Sequence, residues 1–371
     1  MRSLSIGLAY ELFETYPVLP GDPPDAHVEY EPESTIEALE SAILALGHRP
    51  LRLGSPHALL ERLGRLEGRA EGRAEKLPVD VVLNLAEGFG SRNREAWVPV
   101  LLELAGIPAL GSDALSLSLS LDKAWANRQL ASVGIPVAAQ AVFGDSSTVH
   151  DASLPAAFPL FVKPRWEGTA KGIRRSSRVS NRDELAREVA RITRDYRQPA
   201  LVEAFVPGPE YTVSLVGNAP PVCLPIVQRA LDRESGIGIH ALEGPGRRPS
   251  GSALEPVTPG RLEPGLEARL AALAVKAFEA LECRDFARVD FRLDVAGEPV
   301  FLEINPLPTF ATDGTFAILA ELEGCSLDAM LGRCITAGLE RLGFFPEPTR
   351  SAATAAATNA AETAMKRGEA R

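Results

Sequence analysis

Residues 288–308 read RVDFRLDVAGEPVFLEINPLP. Its pattern is typical of an apolar β-hairpin, with two strand-like runs on either side of a turn centred on Ala296 and Gly297. Three polar residues interrupt the apolar pattern, namely Asp290, Glu303 and Asn305. A hairpin that buries one of its faces needs a chemical reason to carry them.

The alternation of side chains along a strand assigns these polar residues to one face. Asp290 shares a face of the first strand with Arg288, and Glu303 shares a face of the second strand with Asn305. The turn at the centre of the stretch predicts a definite register. It places Asp290 opposite Glu303 and Arg288 opposite Asn305.

Two opposed carboxylates require a positive charge between them. Directly opposed residues place their Cβ atoms about 5 Å apart, and like charges at that distance destabilise a sheet. Asp290, Glu303 and Asn305 offer hard oxygen ligands of the kind that Mg²⁺ prefers, whereas Leu302 and Ile304 are expected on the opposite, apolar face. The alternative is a solvated face with an ordinary network of charges. The pairing and the apolar opposite faces favour a magnesium site.

A magnesium site for a nucleotide needs phosphate contacts elsewhere, and two lysines are candidates. The stretch FVKPRWEGTAKGI ends an apolar strand with Lys163 and continues into a loop that carries Thr169 between two glycines. Such a loop lets backbone N–H groups approach phosphate oxygens, although it is not a Walker A loop. Lys123 begins a predicted helix. The alternatives are a simple turn for the loop and a surface position for Lys123.

The stretch LVEAFVPGPEYTV predicts two strands joined by a turn and carries two glutamates. Glu203 interrupts the first strand, and Glu210 follows the Pro-Gly-Pro turn. Carboxylates at these places could accept hydrogen bonds from an exocyclic amine and from ribose hydroxyls. The alternative is that both are edge-strand charges that discourage aggregation.

The bulk properties of the chain exclude several classes of function. The net charge of −10 argues against nucleic-acid or membrane-surface partners held by charge. The four cysteines show no CxxC spacing and the five histidines no HxxH or HExxH pair, so neither a zinc site nor a disulfide framework is expected. No signal-peptide core and no membrane-spanning apolar run is apparent. These features predict a soluble cytoplasmic protein.

The first third of the chain alternates predicted strands and helices, which favours a parallel, doubly wound layer. Within it, STIEALESAILALGH predicts a helix that opens with a capping box formed by Ser34 and Glu37. The charged near-repeat EGRAEGRAE at 67–75 predicts a solvated helix or loop. The C-terminal tail lacks large apolar residues and is expected to be disordered or a fraying helix.

The order of these motifs along the chain resembles that of ATP-grasp ligases, most closely the D-alanine–D-alanine ligase family. The quoted motifs are the lysine that starts a helix, FVKPRWEGTAKGI, LVEAFVPGPEYTV and RVDFR…LEINPLP. The resemblance implies an α/β protein built of α+β subdomains, with an ATP-grasp fold and a Rossmann-like N-terminal domain. The implied domains are 1–120 (pre-ATP-grasp), 121–205 (central ATP-grasp subdomain), 206–345 (C-terminal ATP-grasp subdomain with the metal site) and 346–371 (disordered tail).

The resemblance also implies that ATP lies between the two ATP-grasp subdomains. Six residues correspond to nucleotide contacts of the family: Lys123 and Lys163 at the phosphates, Thr169 in the loop over them, Glu203 at the adenine amine, Val206 at the adenine ring through its backbone, and Glu210 at the ribose.

For the chemistry, the resemblance implies two Mg²⁺ ions, with Mn²⁺ as an alternative, held by Asp290, Glu303 and Asn305. Arg288 would stabilise charge at a reacting acyl phosphate. The implied reaction joins a small carboxylate and a small amine, with no nucleic-acid or membrane partner and with a homodimer as the implied assembly. Transfer to a nucleophile other than an amine, or nucleotide binding without turnover, are the alternatives.

Three stretches depart from the family pattern where substrates would bind. They are LAEGFGSRNREA in place of a histidine-glycine loop, QRALDRESGIGIHALEG in place of a loop with tyrosine and lysine, and NPLPTFATDGTF after the metal strand, with Thr309 and Gly314 at places where the family has other residues. The substrates are therefore left open. The candidate substrate contacts are Arg92, Arg94, Glu95, Arg233, His240 and Thr312.

Overall fold

Three β-sheets and their helices organise the chain. The structure is a computed structural model and describes residues 2–67, 77–243 and 262–344. The charged near-repeat beyond Glu67 and the C-terminal tail lie outside the described residues, so those two predictions stay predictions. In the described ranges, no helix is both long and apolar enough to cross a membrane.

The N-terminal sheet is parallel, as the strand–helix alternation predicts. Its elements are β1 (Ser5–Ala9), α1 (Glu33–Ala45), β2 (Arg49–Gly54), α2 (Pro56–Glu67), β3 (Val81–Asn84), α3 (Trp97–Leu104) and β4 (Ala109–Leu110). The strand order is β2–β1–β3–β4. Because a parallel sheet buries both faces, α1 covers one side, and α2 and α3 cover the other.

Helix α1 does not begin with the predicted capping box. It starts at Glu33, with Pro32 at the N-cap, and no side chain caps its first turn. The early start places Ser34 inside the first turn, where its hydroxyl cannot act as an N-cap, so this prediction is wrong. Thr35 instead donates a hydrogen bond to the carboxylate of Glu31 at 2.9 Å.

The second sheet is antiparallel and follows two short helices. These elements are α4 (Ala114–Leu121), α5 (Lys123–Ser132), β5 (Gln140–Phe143), β6 (Leu160–Pro164), β7 (Arg178–Val179), α6 (Arg182–Asp195) and β8 (Ala200–Ala204). The strand order is β5–β8–β6–β7. The apolar stripe of α6 packs on this sheet and forms a separate core with it.

The third sheet contains the hairpin that opened the sequence analysis. Its elements are β9 (Glu210–Val216), β10 (Val222–Cys223), β11 (Val227–Arg229), α7 (Ile239–Glu243), α8 (Pro264–Ala280), β12 (Phe286–Leu293) and β13 (Pro299–Asn305). The strand order is β10–β9–β12–β13, and β11 pairs with the same edge of β9 as β10. Helix α8 covers the apolar face of this sheet.

The polar end of the hairpin has the predicted register. Asp290 lies opposite Glu303, and Arg288 lies opposite Asn305. On the other side of β12, Thr212 of β9 lies opposite Asp290. The polar residues therefore form a row across three neighbouring strands.

The turn of the hairpin is wider than predicted, and a bulge compensates for it. Asp294 and Glu298 close the turn through a backbone hydrogen bond of 2.9 Å, which shifts the register by one residue. Leu302 is the extra residue that restores the pairing further along β13. The prediction that Leu302 faces the apolar side with Ile304 is therefore wrong, because Leu302 is only partly buried and lies outside the core that contains Phe301 and Ile304. Leu302 and Ile304 both border the cavity described below.

The last two helices tie the first and third sheets together. They are α9 (Thr315–Glu323) and α10 (Leu327–Arg341), and they share a core with α1 and β1. Asp285, which is fully buried, accepts two hydrogen bonds from Arg341 at 2.7 and 2.8 Å and one from the N–H of Gly111 at 2.7 Å. These contacts tie the start of β12 and the end of α10 to the chain just after β4 of the N-terminal sheet.

Candidate active site

A cavity of about 980 Å³ is lined by strands of the second and third sheets, by residues 28–34 and by the segment between β13 and α9. The ten residues singled out from the sequence all line it. They are Lys123, Lys163, Thr169, Glu203, Val206, Glu210, Arg288, Asp290, Glu303 and Asn305. Sequence positions up to 182 residues apart thus meet in one place, which makes this cavity the candidate active site.

The oxygen donors of the hairpin lie side by side on the cavity wall. Asp290 accepts a hydrogen bond from the hydroxyl of Thr212 at 2.6 Å and from Arg288 Nε at 3.2 Å. The amide nitrogen of Asn305 lies 3.4 Å from Glu303 Oε1 and donates to it. The carboxylates are thus held by neighbouring donors on the same face.

These donors suit a hard divalent cation. Burial works against the charged form of Glu303, but the ammonium groups of Lys123 and Lys163 and the guanidinium of Arg288 outweigh it and hold its pKa well below the ordinary range. An ionised carboxylate is what a magnesium ligand must be. In the described part of the chain, no three His, Cys, Asp or Glu side chains form a metal cluster. The candidate set is instead two carboxylates and one amide oxygen.

Two buried ammonium groups point into the cavity. Lys123 Nζ lies 3.3 Å from Glu303 Oε2 and donates to the backbone oxygen of Glu167 at 2.5 Å. Lys163 Nζ lies 2.8 Å from Glu203 Oε2. Both lysine side chains are only 8% exposed, so their ammonium groups are shielded from bulk solvent and face the cavity beside the two glutamates.

Asp122 fixes the start of the loop that carries Thr169. It caps α5 by accepting from the N–H of Trp125 at 3.2 Å, and it accepts two hydrogen bonds from Arg165 at 2.7 and 2.8 Å. Since Lys123 is the first residue of α5, the same carboxylate positions Lys123 and the loop. Thr169 itself lies in the left-handed region with φ of 48°.

The backbone donors of this loop are engaged by carboxylates of the N-terminal segment. The N–H of Gly168 donates to Glu29 Oε1 at 2.5 Å, and the N–H of Gly172 donates to Asp25 Oδ2 at 2.8 Å. Glycine is required at 172 because φ is +80° and a Cβ would lie 2.5 Å from Pro164. No motif in the sequence indicates that residues 25–29 reach this loop.

The other end of the cavity carries the two predicted glutamates. Glu203 accepts from the side-chain amide of Asn127 at 3.0 Å and is almost fully buried. Burial, and then the nearby charge of Asp290, raise the pKa of Glu210 to about 7. Val206, which lies between the two glutamates in the sequence, is buried in the wall of the cavity.

The six candidate substrate contacts divide into different groups. Glu95 and Thr312 line the cavity, as do Thr309 and Gly314. Arg94 is 3% exposed and binds Glu29 at 2.5 Å and the backbone oxygen of Trp166 at 2.8 Å, so it joins two segments of the chain. Arg92 and Arg233 are exposed, so the structure does not support them as substrate contacts. The side chain of His240 lies outside what the structure describes, so that prediction stays a prediction.

Three further cations that line the cavity, Lys171, Arg229 and Arg292, were not singled out from the sequence. Lys171 binds Glu29 at 3.1 Å and Glu167 at 2.9 Å. Arg229 lies at the end of β11 and lines the cavity. The only available signal was the GTAKG spacing for Lys171; for Arg229 there was none, because its strand is short and the chain around it is rich in loops.

Comparison with known proteins agrees with this geometry. The family described as D-ala D-ala ligase C-terminus matches residues 130–336. An uncharacterized protein of Sinorhizobium fredii, y4sG, is 31% identical over 89% of this chain and 93% of its own length. A D-alanine–D-alanine ligase of Mycobacterium tuberculosis is 32% identical over 76% of this chain and 74% of its own length.

Two solved structures share the fold. The D-alanine–D-alanine ligase of Bacillus anthracis, solved with ATP, has a TM-score of 0.63 at 19% identity and covers 91% of this chain and 98% of its own. The VanG D-Ala:D-Ser ligase of Enterococcus faecalis has a TM-score of 0.65 at 20% identity and covers 91% of this chain and 100% of its own. The family match spans more than half of the chain, and the sequence relatives span most of it. The chain therefore belongs to the D-alanine–D-alanine ligase-like family of ATP-grasp proteins.

Proposed function

We propose that this protein is an ATP-dependent carboxylate–amine ligase that joins two small, amino-acid-like substrates through an acyl phosphate. The proposal rests on one observation. Asp290 and Glu303 lie opposite each other in the cavity, and each forms an ion pair with a cation, Asp290 with Arg288 and Glu303 with Lys123. A module that only binds nucleotide has no need of a buried arginine beside its metal ligands. A catalyst that must stabilise developing negative charge does need one.

The positions of the side chains in the cavity support the nucleotide-binding roles that the family resemblance implies. Lys123 and Lys163 would bind phosphate oxygens, because their ammonium groups are buried and face the cavity. The remaining roles are Thr169 at the phosphates, Glu203 and the backbone near Val206 at adenine, and Glu210 at the ribose.

Asp290, Glu303 and Asn305 would hold Mg²⁺, in two sites, with Mn²⁺ as an alternative. Mg²⁺, when bound, neutralises charge on phosphate oxygens and so lowers the barrier to their transfer. Arg288, which already lies 3.1 Å from Asp290, would stabilise the negative charge that develops on the acyl oxygen.

The proposed reaction consists of two successive displacement steps. A carboxylate oxygen of the first substrate attacks the terminal phosphorus of ATP, and ADP leaves as the acyl phosphate forms. The nitrogen of the second substrate then attacks the carbonyl carbon. Phosphate leaves with the electron pair of the C–O bond, the nitrogen loses a proton, and an amide remains. The protein contributes positioning and electrostatic stabilisation.

The test is turnover with a panel of amino acids. The protein, ATP and Mg²⁺ should release ADP and phosphate only with certain pairs of D- or L-amino acids, and mass spectrometry should find an amide. The variant Arg288→Ala should bind ATP but form no product, whereas Arg284→Ala, a change of the same kind at a partly exposed arginine just before β12, should retain activity. No turnover with any carboxylate would contradict the proposal, and a product that hydroxylamine cleaves as an ester would show a different nucleophile.

A further inference from the structure

Asn127 is a buried amide that lies behind the cavity and contacts one of its glutamates. It belongs to α5, one helical turn after Lys123, so the two side chains lie on the same side of that helix. Lys123 lines the cavity, whereas Asn127 does not. The side-chain nitrogen of Asn127 donates to Glu203 Oε1 at 3.0 Å. Any effect of Asn127 on a ligand must therefore pass through Glu203.

A chain of hydrogen bonds fixes the direction in which the Asn127 amide points. Gln140 lies opposite Glu203 on β5, and its side-chain nitrogen donates to the backbone oxygen of Ala124 at 3.1 Å. A backbone oxygen can only accept, so this contact determines which way the amide of Gln140 is turned. The side-chain oxygen of Gln140 then accepts the second N–H of Asn127 at 3.0 Å. Asn127 consequently presents its nitrogen, and not its oxygen, to Glu203.

The oxygen of the same amide has no such contact. Asn127 Oδ1 is buried, and within the described residues it accepts no hydrogen bond. A buried acceptor without a partner lowers stability, and such groups are few in folded proteins. An apolar side chain at this position would avoid that loss. The unsatisfied oxygen therefore points to a role for the two N–H contacts that Asn127 does make.

The other donor to Glu203 is held less firmly. Lys163 Nζ lies 2.8 Å from Glu203 Oε2. Under the function proposed above, this ammonium binds a phosphate of ATP, and its flexible stem allows it to turn away from Glu203. Asn127 binds the other oxygen of the carboxylate and is itself held by Gln140. Asn127 is thus the contact that keeps Glu203 oriented when a nucleotide is bound.

We propose that Asn127 is a positioning residue for nucleotide selectivity, because it holds Glu203 as a fixed hydrogen-bond acceptor to which the base must bring a donor. This inference rests on the role of Glu203 at the base, proposed above. The 6-amino group of adenine satisfies the oriented carboxylate. A 6-oxo group would place two acceptors against each other, and a site built for one hydrogen bond discriminates against an analogue that cannot make it. The pair, and not Glu203 alone, then selects adenine over hypoxanthine and guanine.

The test measures the binding of ADP and of inosine diphosphate, which carries the 6-oxo group, by calorimetry with Mg²⁺. Asn127→Leu has a similar size and no donor, and Gln129→Leu is the matched control, since it removes an exposed amide from the same helix. The wild-type protein should prefer ADP. A hydrogen bond to a charged group contributes about 10- to 100-fold in affinity, so Asn127→Leu should lower this preference by about 10-fold or more, chiefly by weakening ADP. Gln129→Leu should keep the preference within about threefold of the wild-type value.

A second set of variants separates failure of this inference from failure of the role of Glu203. Glu203→Gln should remove most of the preference, because an amide can present either an acceptor or a donor to the base. Adding Asn127→Leu to Glu203→Gln should lower it no further, since one residue acts through the other. If a thermal melt shows that Asn127→Leu has not folded, the smaller Asn127→Ala takes its place with the same expected loss.

The contrary outcomes are distinct. If Glu203→Gln removes the preference but the Asn127 variants keep it within about threefold, or weaken both nucleotides equally, the inference is overturned and the role of Glu203 stands. If the wild-type protein shows no preference, or if Glu203→Gln leaves it intact, the role of Glu203 at the base fails and the inference fails with it. None of these measurements needs turnover, so a protein without ligase activity still gives a decisive result.

Discussion

Glu29 offers a stringent test of how the N-terminal segment holds the loop at the cavity. Its carboxylate accepts from the N–H of Gly168 at 2.5 Å, binds Arg94 at 2.5 Å and binds Lys171 at 3.1 Å. The Glu29 and Arg94 side chains are each only 3% exposed. Burial opposes the charge on Glu29, but Arg94 and then Lys171 outweigh it and hold its pKa well below the ordinary range.

The expected cost of Glu29→Gln follows from these contacts. Removing one member of a buried ion pair costs about 3–5 kcal/mol, because the remaining charge stays buried. Glu167 still lies 3.6 Å from Arg94 and 2.9 Å from Lys171 and compensates in part. We therefore expect the lower end of that range, about 3 kcal/mol.

The assay is urea unfolding of the wild-type protein and two variants at neutral pH. Glu14→Gln is the matched control, because Glu14 lies in the same segment and is exposed. It should change the free energy of unfolding by less than about 0.5 kcal/mol. In Glu29→Gln the amide of Gly168 should also exchange its hydrogen faster.

The pH dependence has a definite sign. A carboxyl whose pKa is lowered by folding stabilises the folded state above its unfolded pKa of 4.5, and this contribution declines as the pH falls towards the folded value. The difference between wild type and Glu29→Gln should therefore be complete at neutral pH and shrink below about pH 4.5. A cost below about 1 kcal/mol, or one equal to that of Glu14→Gln, would refute the reasoning.

Three further predictions concern Arg288, Glu210 and the buried cysteines. Arg288→Lys should keep the affinity for ATP within about threefold and lose at least about 100-fold in turnover, since a point charge cannot replace the fork; a parallel loss of binding in calorimetry would contradict this. Burial and then Asp290 raise the pKa of Glu210 from 4.5 to about 7, so this carboxyl lowers the stability of the ligand-free protein as the pH rises from about 4.5 to 7, and the full loss persists above pH 7. Glu210→Gln should therefore stabilise the protein by about 3 kcal/mol near pH 8 and by almost nothing near pH 4. Urea unfolding at the two pH values checks this, and a larger gain at pH 4 than at pH 8 would contradict it. Burial raises the pKa of Cys283 and Cys334 to about 12, so at about pH 8 a disulfide reagent should react quickly with at most two of the four free thiols in the folded protein and with all four in urea.

The row of polar residues in the hairpin was predictable from the sequence alone. The faces follow from a period of two residues, which is a local property of a strand and needs no knowledge of the rest of the chain. The pairing of Asp290 with Glu303 was also predictable, although the wider turn and the bulge at Leu302 offset each other to produce it. A local prediction fails where one residue shifts the start of an element, as Pro32 does for α1.

Which charged and polar side chains contact one another depends on the tertiary packing and was not predictable from the sequence. Glu29 and Gly168 are 139 positions apart, and Arg229 and Thr315 are 86 positions apart. No period or turn relates such residues, because their contacts depend on how the sheets and the last two helices pack against one another. The sequence determined the metal face because strand geometry is local, and the structure decided the substrate side because burial and charge balance are not.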